Sequence, residues 1–126
     1  MIDFADVVVE RIKEIGYIDA KIRRLADINK GGIAVRRMPT TTITQYYDGS
    51  ADQQVVVQVI VARESELQTI DEIEDIAQRL PEMNLESKNG TYRLTSAELY
   101  TAPQELDYTE GVSVWETRLR AFITVN

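Results

Sequence analysis

Apolar residues recur along this chain first at helical and then at alternating spacing. Phe4, Val7, Val8, Ile12 and Ile15 form one stripe of a helix, with Asp3 in the N-cap position and Ile2 and Val7 placed to staple across it. Gly16 ends that helix by offering a left-handed conformation. Tyr17 to Lys30 stays open between a short second helix, carried by Ile18, Ile22 and Leu25, and a loop through Asp27 to Gly32. Ile33-Ala34-Val35 begins a strand, and Pro39, which has no N–H to donate, bends it or confines it to an edge.

The stretch from Met38 to Arg63 predicts a hairpin. Thr40 to Tyr47 is almost wholly β-branched or aromatic and Gln54 to Ala62 is rich in valine, side chains that suit a pleated surface. Asp48-Gly49-Ser50 supplies the turn between them. Ser65 and Gln68 then make a capping-box pattern, and Leu67, Ile70, Ile73, Ile76, Ala77 and Leu80 carry an amphipathic helix to Pro81. Its outer face is expected to hold Asp71, Glu72, Glu74 and Asp75. Asn89-Gly90 marks a turn into a strand through Tyr92, Leu94, Leu99 and Tyr100 that ends at Pro103, and Gln104 to Gly111 reads as an acidic connection. In the last strand Trp115, Thr117, Leu119, Ala121, Ile123 and Val125 share one face, and Glu116, Arg118, Arg120 and Thr124 share the other. The pattern therefore predicts a single α+β domain over 1–126: a mainly antiparallel sheet with two helices, or three if Tyr17 to Lys30 folds as one, packed on one face.

Composition narrows the chemistry. At 126 residues the chain can bury roughly 65% of its unfolded surface without a staple. It has no Cys and no His, which removes thiol nucleophiles, thiolate metal sites, Ser-His chemistry and the usual zinc hydrolase. No apolar run is long enough for a membrane span, and the acidic start is unlike a secretory leader, so the expected setting is the cytoplasm or an assembled particle. A net charge of −7 argues against a general nucleic-acid binder. The charge is unevenly spread: residues 1–37 carry eight Lys/Arg against six Asp/Glu, and 38–126 carry six against fifteen. Lys21, Arg23, Arg24, Lys30, Arg36 and Arg37 form the basic cluster, either a solvated face or a contact for an acidic partner.

Asp48, Ser50 and Asp52 have the alternation of a calcium loop, but Gln53 stands where glycine is needed and Val59 where the bidentate Glu should be. Asp71 and Asp75 fit a solvated helix N-terminus better than acid-base work. The glycines make no phosphate-cradling motif. Tyr46, Tyr47 and Trp115 fit sheet packing better than an exposed adhesive patch. No catalytic, metal or cofactor-binding residue is expected.

The succession Ile33 to Pro39, Ile43-Thr44-Gln45-Tyr46-Tyr47-Asp48-Gly49-Ser50, a Gln/Val-rich strand, Ala62-Arg63-Glu64-Ser65, an amphipathic helix, Asn89-Gly90 and a long final strand resembles a phage family. These are the small minor capsid or tail-completion proteins of long-tailed phages, similar in element order to lambda-type tail terminators. The resemblance covers Gly32 to Val125 and the first helix, and does not extend to Tyr17–Gly31. It implies a non-enzymatic virion subunit, made in the host cytoplasm, that forms a ring, a homohexamer, at the head-proximal end of the tail. Such a ring stops tube polymerisation and joins tail tube protein to head-tail connector, with DNA passing its lumen without specific binding and with no membrane partner. Arg36, Arg37, Tyr46, Tyr47, Asp48, Arg118 and Arg120 are the expected interface residues. The alternatives are another minor capsid or connector component, or a small carboxylate-based enzyme or ligand-binding domain.

Overall fold

The protein is described here by a computed structural model covering residues 2–23, 31–39, 41–109 and 111–125. Helix α1 (Phe4–Ile15) forms where the apolar stripe predicts it, and Gly16, at φ 131°, ends it with its N–H on the Ile12 and Lys13 carbonyls. Asp3 holds the N-cap position without capping. Its carboxylate instead accepts from Ser87 Oγ (2.7 Å), the Lys88 and Asn89 N–H groups (3.0 and 3.2 Å) and Thr91 Oγ1 (3.3 Å). Four converging donors on one loop outbid a single amide of its own helix.

Between Tyr17 and Arg23 there is no helix. A turn leads into β1 (Ala20–Ile22), which runs parallel to β2 (Gly32–Arg37). Arg24 and Lys30 of the expected basic cluster lie outside the described residues, as does Thr40.

Strand β4 (Ala51–Arg63) is the axis of the sheet. On one side it pairs antiparallel with β2 and β3 (Thr41–Gln45), laid end to end: Gly32–Arg37 against Ala62–Val57, then Thr41–Gln45 against Gln54–Ala51. Met38 N–H still reaches the Val56 carbonyl (2.9 Å), and Pro39 breaks the ladder between the two segments. On its other side β4 pairs with β6 (Val112–Val125), and β6 with β5 (Arg93–Thr109), giving the order β1-β2-β4-β6-β5 with β3 beside β4. The expected acidic connection is thus strand. Pairing continues past Pro103, which falls at one of four register irregularities between β5 and β6, and the chain reverses only at Gly111 (φ 78°). A proline is tolerated there because the strand is outermost and the ladder is already interrupted.

Helix α2 (Glu66–Arg79) starts from Ser65, whose Oγ accepts from Gln68 N–H, and runs into a short 3₁₀ turn (Leu80–Glu82) at Pro81. Two helix positions differ from the periodicity. Leu67 lies in the first turn, 75% exposed, whereas Glu72 is buried on the inner side. Arg63, at the end of β4, draws Glu72 inward (2.8 Å) while holding Asp19 before β1 (2.7 Å), so one guanidinium pins α2, β4 and the chain after α1 together. That contact holds the Asp19 carboxyl below the usual range, against the opposing effect of burial.

Both helices cover one sheet face. Val55, Val57, Val59 and Val61 of β4, Ile33 and Val35 of β2, and Leu119, Ala121 and Ile123 of β6 meet Phe4, Val8, Ile12, Ile73, Ile76 and Leu80 there in the main core. The opposite face bears no helix among the described residues. Its apolar part is small: Ala34, Ile60, Ala62 and Val114, under Leu106 and Val112.

Candidate interaction surface

Strand alternation sends the even-numbered residues of β4 and β6 to the helix-free face, and the register brings their polar side chains into a stripe across four strands. Arg36 Nη1 donates to Gln58 Oε1 (2.9 Å), and Gln58 Nε2 donates to Glu116 Oε1 (2.9 Å). Glu116 also accepts from Arg118 Nε (2.9 Å) and, on its other oxygen, from Gln104 Nε2 of β5 (3.2 Å). Gln58 and Glu116 are only 3% and 2% exposed. Burial alone would raise the Glu116 carboxyl. Hydrogen bonds from Gln58, Arg118 and Gln104, with the Arg118 charge, outweigh it and leave the pKa below its ordinary 4.5.

One step along β6, Arg120 pairs with Glu98 of β5 (Nε to Oε1, 2.9 Å) and lies over the rings of Tyr100 (4.9 Å) and Phe122 (5.3 Å). Tyr100 is half exposed. The stripe therefore presents cations already partnered within the chain, ringed by aromatic surface. A face of this kind can meet another protein without stranding a buried charge.

The β3–β4 turn is a second feature. Asp48 Oδ1 accepts from the Ser50 N–H (2.9 Å) and Ser50 Oγ (2.6 Å), and Gly49 at φ 89° closes the loop. Tyr46 OH donates to Asp52 Oδ2 (2.8 Å), whose other oxygen accepts from Thr124 Oγ1 (2.8 Å). These bonds hold both aspartates below their ordinary pKa and commit Asp48 and Asp52 to separate partners. Of the aromatics expected to pack in the sheet, Trp115 does lie against the main core. Tyr46 is half exposed, and Tyr47 stands fully in solvent at the tip, with Ile43 exposed behind it. The hairpin tip projects past the last paired residues of the sheet, Ala51 with Val125, and Tyr47 lies beyond them.

The seven expected interface residues thus fall in three places. Arg36, Arg118 and Arg120 share the stripe, and Tyr46, Tyr47 and Asp48 form the hairpin tip. Arg37 turns to the helix-covered side, 4.0 Å from Asp6 of α1. Sequence reasoning put Glu116 on one strand face with Arg118, but left Glu116, Gln58 and Gln104, the groups that join Arg36 to Arg118, out of the expected interface. The signal was present: Gln58 interrupts a run of valines at the same parity that Glu116 and Arg118 occupy in their strand.

The sequence model of a family described as bacteriophage tail terminator protein matches residues 12–122. Among solved structures, a chain from the "Virion of native gene transfer agent (GTA) particle" is similar in fold, with a TM-score of 0.52 at 13% identity, over 90% of this chain and 84% of that one. No curated protein matches in sequence.

Proposed function

The chain belongs to the bacteriophage tail terminator family, a phage tail structural protein, and on that premise we propose that it closes the head-proximal end of the tail as a non-enzymatic ring of six copies. The carrying observation is that the family match runs from the last turn of α1 through most of β6, a span that includes the helix-free face and the projecting hairpin. A ring needs a heterologous contact, two different patches that meet head to tail and close when the rotation divides the circle. The tip of Tyr46, Tyr47 and Asp48 is one such patch and the helix-covered side at Arg37 another, while the stripe of Arg36, Arg118 and Arg120 is a further surface for the tail or the connector. Together they form the proposed interface set.

In this reading one rim of the ring stops tail tube protein from adding and the other receives the head-tail connector. DNA passes the lumen without specific contact, consistent with the net charge of −7, which repels phosphate. The protein would act in the virion, after assembly in the host cytoplasm. Deleting the gene and measuring tails by negative-stain microscopy tests this. Overlong, headless tails that regain normal length on adding the protein are expected; tails of normal length without it would refute the role, and immunogold label away from the tail end would assign the protein to another part of the particle.

A further inference from the structure

The break between β2 and β3 leaves a cleft of about 210 Å³ lined by Ile2, Phe4, Ala5, Met38 and Val55–Val57, with Arg37 at its edge. It opens where Pro39 ends the ladder, so no strand covers the β4 valines at that point. The side chains that line it are apolar apart from the Arg37 guanidinium, and it has room for a single aromatic ring. In the turn that leads into β4 the chain carries the counterpart: Tyr47, wholly exposed, with Asp48 next to it.

We propose that Tyr47 of one copy inserts into this cleft of the next, with Asp48 brought against Arg37. This rests on the ring reading above and names the contact that builds the ring. The phenol ring supplies the apolar body the cleft lacks and keeps its hydroxyl at the mouth, as aromatic anchors at interfaces do. The guanidinium finds both a ring face and a carboxylate. The insertion is between molecules: Val55 lies five residues from Ser50 along an extended strand, about 16 Å, too far for Tyr47 to fold back into its own cleft. Because knob and cleft are different parts of the surface, each copy can both give and receive, which is the requirement for a closed ring.

Tyr47 is wholly exposed in its own chain, which makes the test clean. Tyr47→p-azidophenylalanine keeps a single-ring knob and on illumination loses dinitrogen to give a nitrene that inserts into neighbouring bonds. The protein is added to tails lacking their own copy, irradiated, and mapped by mass spectrometry, with tail capping scored in parallel. Adducts between position 47 and Met38 or Val55–Val57, in a ladder of bands beyond the dimer, are expected. Capped tails with adducts elsewhere or none would overturn the contact and leave the ring standing, and bands that stop at the dimer would show a reciprocal pair and overturn head-to-tail insertion. If wild-type protein itself fails to cap tails, the ring reading falls, and this contact with it. A second variant, Tyr47→Ser, should raise the protein concentration needed for capping by roughly tenfold or more while its melting temperature stays at the wild-type value; unchanged capping would also overturn the proposal.

Discussion

Replacing Glu116 by alanine asks how much of the sheet depends on its polar stripe. Glu116 accepts hydrogen bonds from Gln58 on β4, Gln104 on β5 and Arg118 on its own strand. Glu116→Ala leaves the buried Gln58 amide with an unmet donor, a loss of about 1–3 kcal/mol. Arg118 loses its carboxylate as well, but its side chain is 31% exposed and can turn to water, so the 3–5 kcal/mol typical of a broken buried pair does not apply in full. The expected total is about 2–3 kcal/mol, and for a domain of this size that lowers Tm by roughly 8–12 °C. Urea titration and thermal unfolding followed by circular dichroism at pH 7 read both quantities. The pH dependence supplies an independent check. Because the folded pKa of Glu116 is depressed, its contribution is fully present above about pH 4.5 and is lost as pH falls through the folded value. The stability gap between wild type and the alanine variant therefore narrows on acidification below 4.5. A melting temperature within about 2 °C of wild type, or a gap that widens in acid, would refute this account of the stripe.

Arg63→Ala strands the buried Glu72 and frees the half-exposed Asp19, and should lower stability by about 2–3 kcal/mol in urea titration. Asp19, no longer held down, then titrates nearer its ordinary value, so the variant loses less stability than wild type as pH falls below about 3.8, readable in an acid-unfolding series. Asp3→Ala releases the loop at 87–91 and should cost about 1 kcal/mol, with faster amide exchange at Lys88 and Asn89 than in wild type. Gly32→Ala puts a Cβ on a residue at a φ of +115° and obliges the Arg23 guanidinium, 2.7 Å away, to move aside; it should lose about 1–3 kcal/mol by thermal melting, chiefly through backbone strain.

The features legible in the sequence are those whose signal is local. Ser65 and Gln68 lie three residues apart and mark the start of α2 by their own hydrogen bond. The alternation from Trp115 to Val125 sorts β6 into its two faces, and Gly49 marks a turn that the backbone needs wherever the hairpin sits. What escaped depends on partners distant in the chain. Ala20–Ile22 is too short to show a period, and becomes a strand because β2 offers a parallel edge. Glu72 lies on the polar side of any helical wheel, and only the nine-residue return from Arg63 explains its burial. Asp3 reads as a cap until Ser87 and Thr91 are brought to it from the other end of the domain. The candidate interface was legible to the same extent: its arginines stood out as charges, and the carboxylate and amides that arrange them became visible only through the register of β4 with β6.

The interrupted register of β5 has a consequence for how the border of the sheet meets other chains. An outermost strand of seventeen residues offers a bare row of amides and carbonyls on which a further chain could crystallise. Here the longest regular run is Ser96–Leu99, four residues, flanked by irregularities on both sides, with Pro103 removing another donor farther along. An intruding strand could match only a fragment of this border before falling out of step. Growth into fibres is thereby discouraged by backbone geometry alone, leaving the side chains of the same molecule free to be adhesive.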